Sequence, residues 1–321
     1  MLRIHFTAAD LARTTLAAET HPLWEVVLSS FRLRDRDRPR AFRQWARTLR
    51  PEVRSAARLL EALTPAGPYF PDFLTPAEGA RGLEAGLDAI LRTPKPRLTE
   101  ELRLLHALSP LPDRLAPLTR GDTGALAELV RTLRAYHAAA IAPHEDVIRA
   151  SVNADRVRRA HDLLDGGVDG LLDGLRPLAR WHPPLLEVDY AVDRDLRLDG
   201  RGLVLVPSYF CRGRPVAPAD PTLAPVLVYP IDPTHRWSAA PRPDALAALL
   251  GPTRAATLQA IGGGANTTEL AQRVGTSPAS TSRHTQVLRE AGLISSTRHG
   301  SAVLHALTPL GAALLGQRTT R

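Results

Sequence analysis

Two short helical segments separated by a four-residue turn constrain this chain more than any other feature. Glu269-Leu-Ala-Gln-Arg-Val274, capped by Thr267 or Thr268, stops at Gly275. The turn Gly275-Thr276-Ser277-Pro278 starts the next helix. Ser277 suits the N-cap, where its hydroxyl can accept an orphan backbone N–H, and Pro278 suits the first helical position. That helix runs to about Ala291 and ends at Gly292. Two short helices joined this way form a helix-turn-helix, whose second helix enters the major groove of DNA.

The flanking sequence extends the pattern. Asp244 to Leu250 is helical, and Gly251-Pro252 restarts the chain so that Thr253 to Ile261 turns Ala256, Leu258 and Ile261 toward a core. Gly262-Gly-Gly264-Ala-Asn266 then breaks the helix. Beyond the turn, Leu293 to Thr297 and Ala302 to Ala306 alternate as strands around Arg298-His299-Gly300, a hairpin with a basic tip. Such a hairpin is a wing, whose arginine can reach backbone phosphate or the minor groove. A last helix spans about Pro309 to Gln317.

Residues 244 to 317, about a quarter of the chain, resemble the winged helix-turn-helix of ArsR-type transcriptional regulators. Leu249-Leu-Gly-Pro-Thr-Arg254 is similar to that family's Leu-x-Asp-Pro-Thr-Arg opening. Ser282-Arg-His-x-x-Val-Leu-Arg-Glu-Ala-Gly-Leu-Ile294 is similar to its recognition helix and first wing strand. The resemblance implies DNA contacts from Thr268, Ser277, Ser280, Arg283, His284 and Gln286, with Arg298 and His299 from the wing. Arg283 is the first candidate for a base edge, since arginine pairs bidentately with guanine. Arg289 suits phosphate or a salt bridge. The plainer alternative makes each of these an exposed polar residue of an ordinary helix.

Two departures stand out: Thr281 and Thr285 occupy positions where apolar core residues are expected, and Pro278 and Ala279 replace commoner polar ones. The family's metal sensors use a Cys-containing motif on the helix before the turn, or Asp/His pairs on the last helix. Glu269 to Val274 and Pro309 to Gln317 contain no His, Cys or Asp, so no metal is expected there.

Proline marks the boundary of this module: 25 of the 28 lie before residue 244, and Pro230 to Pro243 reads as a linker. The expected domains are 1–243 and 244–321. Charge partitions with them. The net charge of +8 divides equally, so residues 244–321 carry +4, from seven arginines against Asp244, Glu269 and Glu290. Positive density therefore concentrates in the small domain, as a polyanionic partner requires.

In residues 1–243, Leu2 to Phe6 is a short strand and Ala8 to Glu19 a helix. Further helical patterns cover Leu23 to Leu33, Ala41 to Leu63, Thr99 to Ala107, Thr123 to Ala140 and His144 to Leu164. Leu185 to Ala191, Gly202 to Phe210 and Pro225 to Tyr229 change to strand character, with Asp199-Gly-Arg-Gly202 as hairpin chemistry between the first two. The expected class is α+β: a mainly helical N-terminal domain with a small antiparallel sheet, then a C-terminal winged helix. The N-terminal part resembles an uncharacterised actinobacterial extension found before such winged helices, through Arg3 to Ala12, Tyr69 to Pro76 and Val206 to Phe210.

Chemistry in this part is sparse. The one cysteine, Cys211, follows an apolar strand and suits a buried thiol better than a nucleophile. Gly-x-Ser-x-Gly, a phosphate-loop Gly-Lys-Ser/Thr and His-Glu-x-x-His do not occur. Asp165, Asp169 and Asp173 recur every four residues, which suits a Gly-interrupted solvated helix face rather than a calcium loop. Tyr69, Phe70, Phe73, Trp181, Tyr190, Tyr209 and Phe210 suit the core first and a ligand pocket second. Arg32 to Arg40 reads as a solvated charge-rich turn.

These readings give no catalytic residues, no cofactor, no metal, no membrane span and a cytoplasmic location. They point to a homodimeric DNA-binding transcriptional regulator, a repressor at an inverted-repeat operator on double-stranded DNA. Its N-terminal domain responds to a small-molecule or protein signal. The alternatives are an N-terminal enzyme acting on a small molecule, with the DNA module used for autoregulation, and an N-terminal protein-interaction platform.

Overall fold

The computed structural model describes residues 1–49, 53–235, 243–262, 264–299 and 302–315, with backbone alone at 54, 55, 235, 243–245, 299, 302 and 313. The chain divides into two compact units, Met1–Ser238 and Ala239–Arg321.

The first unit opens with β1 (Leu2–His5), α1 (Ala8–Arg13) and β2 (Thr15–Leu16), then builds a helical body. Its helices are α2 (Pro22–Arg34), α3 (Arg40–Thr48), α4 (Val53–Leu63), α5 (Leu83–Leu91), α6 (Lys95–Leu108), α7 (Ala116–Thr119), α8 (Thr123–Tyr136) and α9 (Glu145–Asp173). Five strands follow: β3 (Ala179–His182), β4 (Leu185–Val188), β5 (Arg194–Arg197), β6 (Val204–Ser208) and β7 (Val226–Pro230). They complete two sheets, ordered β3-β4-β1-β5 and β2-β6-β7. The antiparallel pairing is β3-β4-β1; β5 joins β1 in parallel, and the second sheet is parallel throughout.

α+β is therefore the class, with details that the sequence did not carry. The helix expected over Ala8 to Glu19 ends at Arg13, because Thr14 Oγ1 donates to Asp10 O at 2.8 Å and Thr15-Leu16 pairs with Val204-Leu205. The single helix expected over Ala41 to Leu63 is two, α3 and α4, with residues 50–52 outside the described ones. Asp199 to Gly202 does not close a hairpin. Its backbone is turn-like, with positive φ at Asp199, Gly200 and Gly202, but it links β5 of one sheet to β6 of the other. Gly202 is fixed from both sides: its N–H donates to buried Asp10 Oδ1 at 3.0 Å, and a Cβ there would lie 2.5 Å from Arg13 O.

Of the three recurring aspartates of α9, Asp165 is exposed as expected and the other two serve as structural acceptors. The helix breaks at Gly167 (φ 62°), Asp169 accepts from Trp181 Nε1 at 2.6 Å and Asp173 pairs with Arg176 at 2.8 Å. The run after Arg32 is less solvated than expected. The Arg32 guanidinium lies 6.0 Å from the Phe42 ring, and that of Arg34 lies 4.9 Å from the Phe31 ring and donates to Thr64 O. The aromatic residues fill the core: Phe73, Tyr209 and Phe210 are buried, Phe210 packs on Trp45 at 4.7 Å, and Phe70 on Trp24 at 6.0 Å. Cys211 is buried beside them.

Buried His21 ties α2 to the loop above it. Its Nδ1 accepts from Trp24 N at 3.3 Å, which leaves the proton on Nε2 to be donated to Pro76 O at 3.2 Å. Burial holds its pKa down to about 4. The neutral ring thus contributes stability that is complete above the ordinary histidine value near 6.5 and is lost as pH falls through that value toward 4. The loss reaches about 3 kcal/mol. Melting temperature of the first unit is expected to fall across this window, and His21→Asn to flatten that part of the profile; an identical profile in the variant would contradict the assignment.

The second unit holds α10 (Pro243–Leu250), α11 (Pro252–Ile261), β8 (Ala265–Asn266), α12 (Thr267–Val274), α13 (Pro278–Glu290), β9 (Ile294–His299), β10 (Ala302–Leu307) and α14 (Pro309–Leu314). Leu258, Ile261, Ala265, Leu270, Leu288, Leu293 and Ile294 form its core. Its sheet is ordered β8-β10-β9, so the two residues before α12 pair with the returning wing strand. That short strand was not legible in the sequence.

Candidate nucleic-acid interface

The site is built by the ends of its helices. Asn266 caps α12, in place of the expected threonines: its side chain accepts from Glu269 N at 2.9 Å, and Glu269 Oε2 accepts from Asn266 N at 3.1 Å. This reciprocal box places the cap three residues before the glutamate and therefore selects Asn266. Gly275 ends α12 in the left-handed region (φ 69°), and Thr276 N donates back to Ala271 O at 2.9 Å, the six-to-one bond of a glycine-terminated helix. Ser277 is the N-cap of α13, accepting from Ser280 N at 3.2 Å, with Pro278 at the first helical position.

The buried face of α13 is Thr281, Thr285 and Leu288. Two threonines are accommodated in this core because their hydroxyls are satisfied locally. Thr281 Oγ1 bonds Thr276 Oγ1 at 2.8 Å across the turn, and Thr285 Oγ1 donates to Ser282 O at 3.0 Å. The departures noted in the sequence thus pin the turn to the helix while leaving each methyl for packing.

The helical period of 100° per residue turns Ala279, Arg283, Gln286 and Glu290 to the opposite, exposed face. Arg283 has no hydrogen bond or ion pair among the described residues, so its five donors are available. Gln286 Nε2 donates to Glu290 Oε1 at 2.9 Å, a bond that a base edge must displace. Ser280 and His284 lie on the flank, half-buried and 3.3 Å apart through Oγ and Nε2. Thr268 is exposed on the first turn of α12.

On the wing, β9 and β10 pair antiparallel with Arg298 opposite Val303. Arg298 is exposed; the side chain of His299 and all of Gly300 lie outside the described residues. His305 was not among the residues expected to build this site. It is buried, bonding Thr267 Oγ1 through Nε2 at 3.0 Å and Ser296 Oγ through Nδ1 at 2.8 Å, and so ties the start of α12 to both wing strands. Burial, and then the nearby Arg289 charge, lower its pKa. Its only signal was a histidine at an inward position of an alternating strand.

Helix, turn, recognition helix and three-stranded wing together define a winged helix-turn-helix. Consistent with this geometry, the helix-turn-helix domain family matches residues 249–297. The chain therefore carries a C-terminal domain of the kind that binds DNA in transcriptional regulators. No curated protein and no solved structure gave a significant match. No helix among the described residues is long and apolar enough to cross a membrane.

Proposed function

We propose that this chain is a transcriptional repressor of the ArsR type that binds its operator as a homodimer. The observation that carries this reading is the exposed face of α13, where Arg283 stands without a partner among the described residues beside Gln286, with a capped N-terminus ready to enter the major groove. Arg283 reads a base edge, Ser277 and Thr268 approach phosphate from helix starts, and Arg298 and His299 extend the contact from the wing. His284 and Ser280 hold each other on the flank and contact the backbone. Two copies of α13 in successive major grooves require an inverted repeat with half-sites about 10 base pairs apart, centre to centre.

In this proposal the N-terminal unit is a sensor and not an enzyme. It contains an apolar cavity of about 420 Å³ lined in part by Trp24, Val204, Val206, Leu223 and Val226, a size that suits a small molecule. Of the five described ionisable residues in its lining, Glu19, His21, Asp72, Glu78 and Arg97, His21 and Asp72 are committed to structure by their hydrogen bonds. His21 holds Pro76, and Asp72, whose pKa burial raises, accepts from Ala219 N and Asp220 N at 2.9 and 2.8 Å. Groups so occupied suit a binding pocket better than acid–base work.

The test is selection of bound fragments from a random duplex library by the full-length protein. An enriched inverted repeat with the stated spacing is expected. Enrichment of a single asymmetric site would contradict dimeric binding, and absence of any enriched sequence would contradict specific recognition.

A further inference from the structure

A second cleft in the N-terminal unit has a different character. It has a volume of about 450 Å³ and opens beyond the carboxyl ends of the parallel strands β6 and β7, where Arg212 follows one strand and Ile231 and Asp232 follow the other. Ends of adjacent parallel strands are a recurrent place for ligands, because the chain leaves them for loops that diverge. Here those loops meet α9 and the start of α3.

Five arginines line this cleft: Arg40, Arg158, Arg159, Arg176 and Arg212. Asp232 is the one carboxylate in the lining among the described residues. Other partners hold the guanidiniums from outside it: Asp173 on Arg176 at 2.8 Å, Asp35 on Arg212 at 3.4 Å, and Asp162 and buried Asp155 on Arg159 at 3.3 and 3.6 Å. Within the lining, Asp232 pairs with Arg158 at 3.2 Å. These pairs fix the orientation of the donors.

One further observation points the same way. The N-terminus of α3 also reaches the cleft through Pro39, Arg40 and Ala41, and it has no side-chain cap and no acidic residue in its first turn. A helix start left so carries positive partial charge and suits an anion. Between the arginines the walls are apolar, with Ala41, Leu178, Ile231 and prolines.

We propose that this cleft binds a small organic oxyanion, a phosphate or carboxylate group carried on an apolar body. The guanidinium forks match either group bidentately, and the apolar walls receive the body. The inference concerns binding by the N-terminal unit and is independent of what the C-terminal unit reads.

Arg40 gives the cleanest test. Its side chain is exposed and makes no hydrogen bond or ion pair among the described residues, so Arg40→Ala removes a donor without stranding a carboxylate. Phenyl phosphate, benzoate and neutral benzyl alcohol are titrated into the full-length protein by calorimetry. Saturable binding of at least one anion and none of the alcohol is expected, with affinity reduced about tenfold in Arg40→Ala. Melting curves of the variant confirm that it is folded. Arg149→Ala, on α9 but outside the cleft, and Arg283→Ala, on the DNA face, are expected to bind the anion as the parent does. Binding of neither anion, equal binding of the alcohol, or an unchanged affinity in Arg40→Ala would overturn the proposal. Loss of anion binding in Arg283→Ala would overturn it too, by placing the anion on the DNA face.

Discussion

Replacing Glu25 with leucine is expected to remove most of the stability of the N-terminal unit. Glu25 lies in the run Leu-Trp-Glu-Val-Val-Leu of α2 and is 2 % exposed. Its carboxylate accepts from Ser208 Oγ at 3.1 Å, Tyr209 N at 2.9 Å and Phe210 N at 3.0 Å, so it caps the backbone where β6 ends. Leucine has the right bulk and no acceptor. Each buried donor left unmet costs roughly 1–3 kcal/mol, and three of them amount to about 3–9 kcal/mol. Against a typical total of about 5–15 kcal/mol this is most of the margin. Urea unfolding followed by circular dichroism measures it. Glu25→Gln, which keeps one acceptor oxygen, is expected to fall between leucine and the parent. A leucine variant within about 1 kcal/mol of the parent would show that the strand end does not depend on this carboxylate.

The second large effect is expected at Gly311, on the first turn of α14. A Cβ there would overlap the carbonyl oxygen of Leu293 and stand 3.0 Å from its carbonyl carbon. Both are backbone atoms at the start of the wing, so they cannot turn aside as a side chain would. Helix propensity alone favours alanine over glycine by about 1 kcal/mol. Overpacking reverses the sign, and Gly311→Ala is expected to destabilise the C-terminal unit by about 1–3 kcal/mol. Gly166→Ala is the control, because nothing lies within 4 Å of the Cβ it would add. Thermal unfolding that leaves Gly311→Ala as stable as the parent would mean that α14 can lift from the wing without cost.

What the sequence made legible follows the range of the interactions involved. The turn before α13, the N-cap Ser277 and the glycine stops at Gly275 and Gly292 are local, and they stand where expected. The cap of α12 was misplaced by one or two residues, since several residues able to cap stand in a row and only the position of Glu269 separates them. Sheet partners were not legible. β5 pairs with β1, about 190 residues away, and nothing in Arg194-Asp-Leu-Arg197 alternates strongly enough to announce a strand. The roles of Glu25, Asp10 and His305 come from partners distant in sequence, and a lone polar residue in an apolar run does not say which backbone it will cap. At the DNA face, the period of α13 placed Arg283 and Gln286 outward, but it could not foresee that Gln286 leans on Glu290.

On the proposed reading, the exposed face of α13 reads DNA through Arg283. Fluorescence anisotropy of the full-length protein on its selected operator and on an unrelated duplex, across a range of salt concentrations, checks this. Arg283→Ala is expected to weaken operator binding about 10- to 100-fold, the equivalent of about 1–3 kcal/mol, and to leave binding to the unrelated duplex much less affected. Unchanged operator affinity at every salt concentration, in a variant that melts like the parent, would contradict the assigned recognition surface.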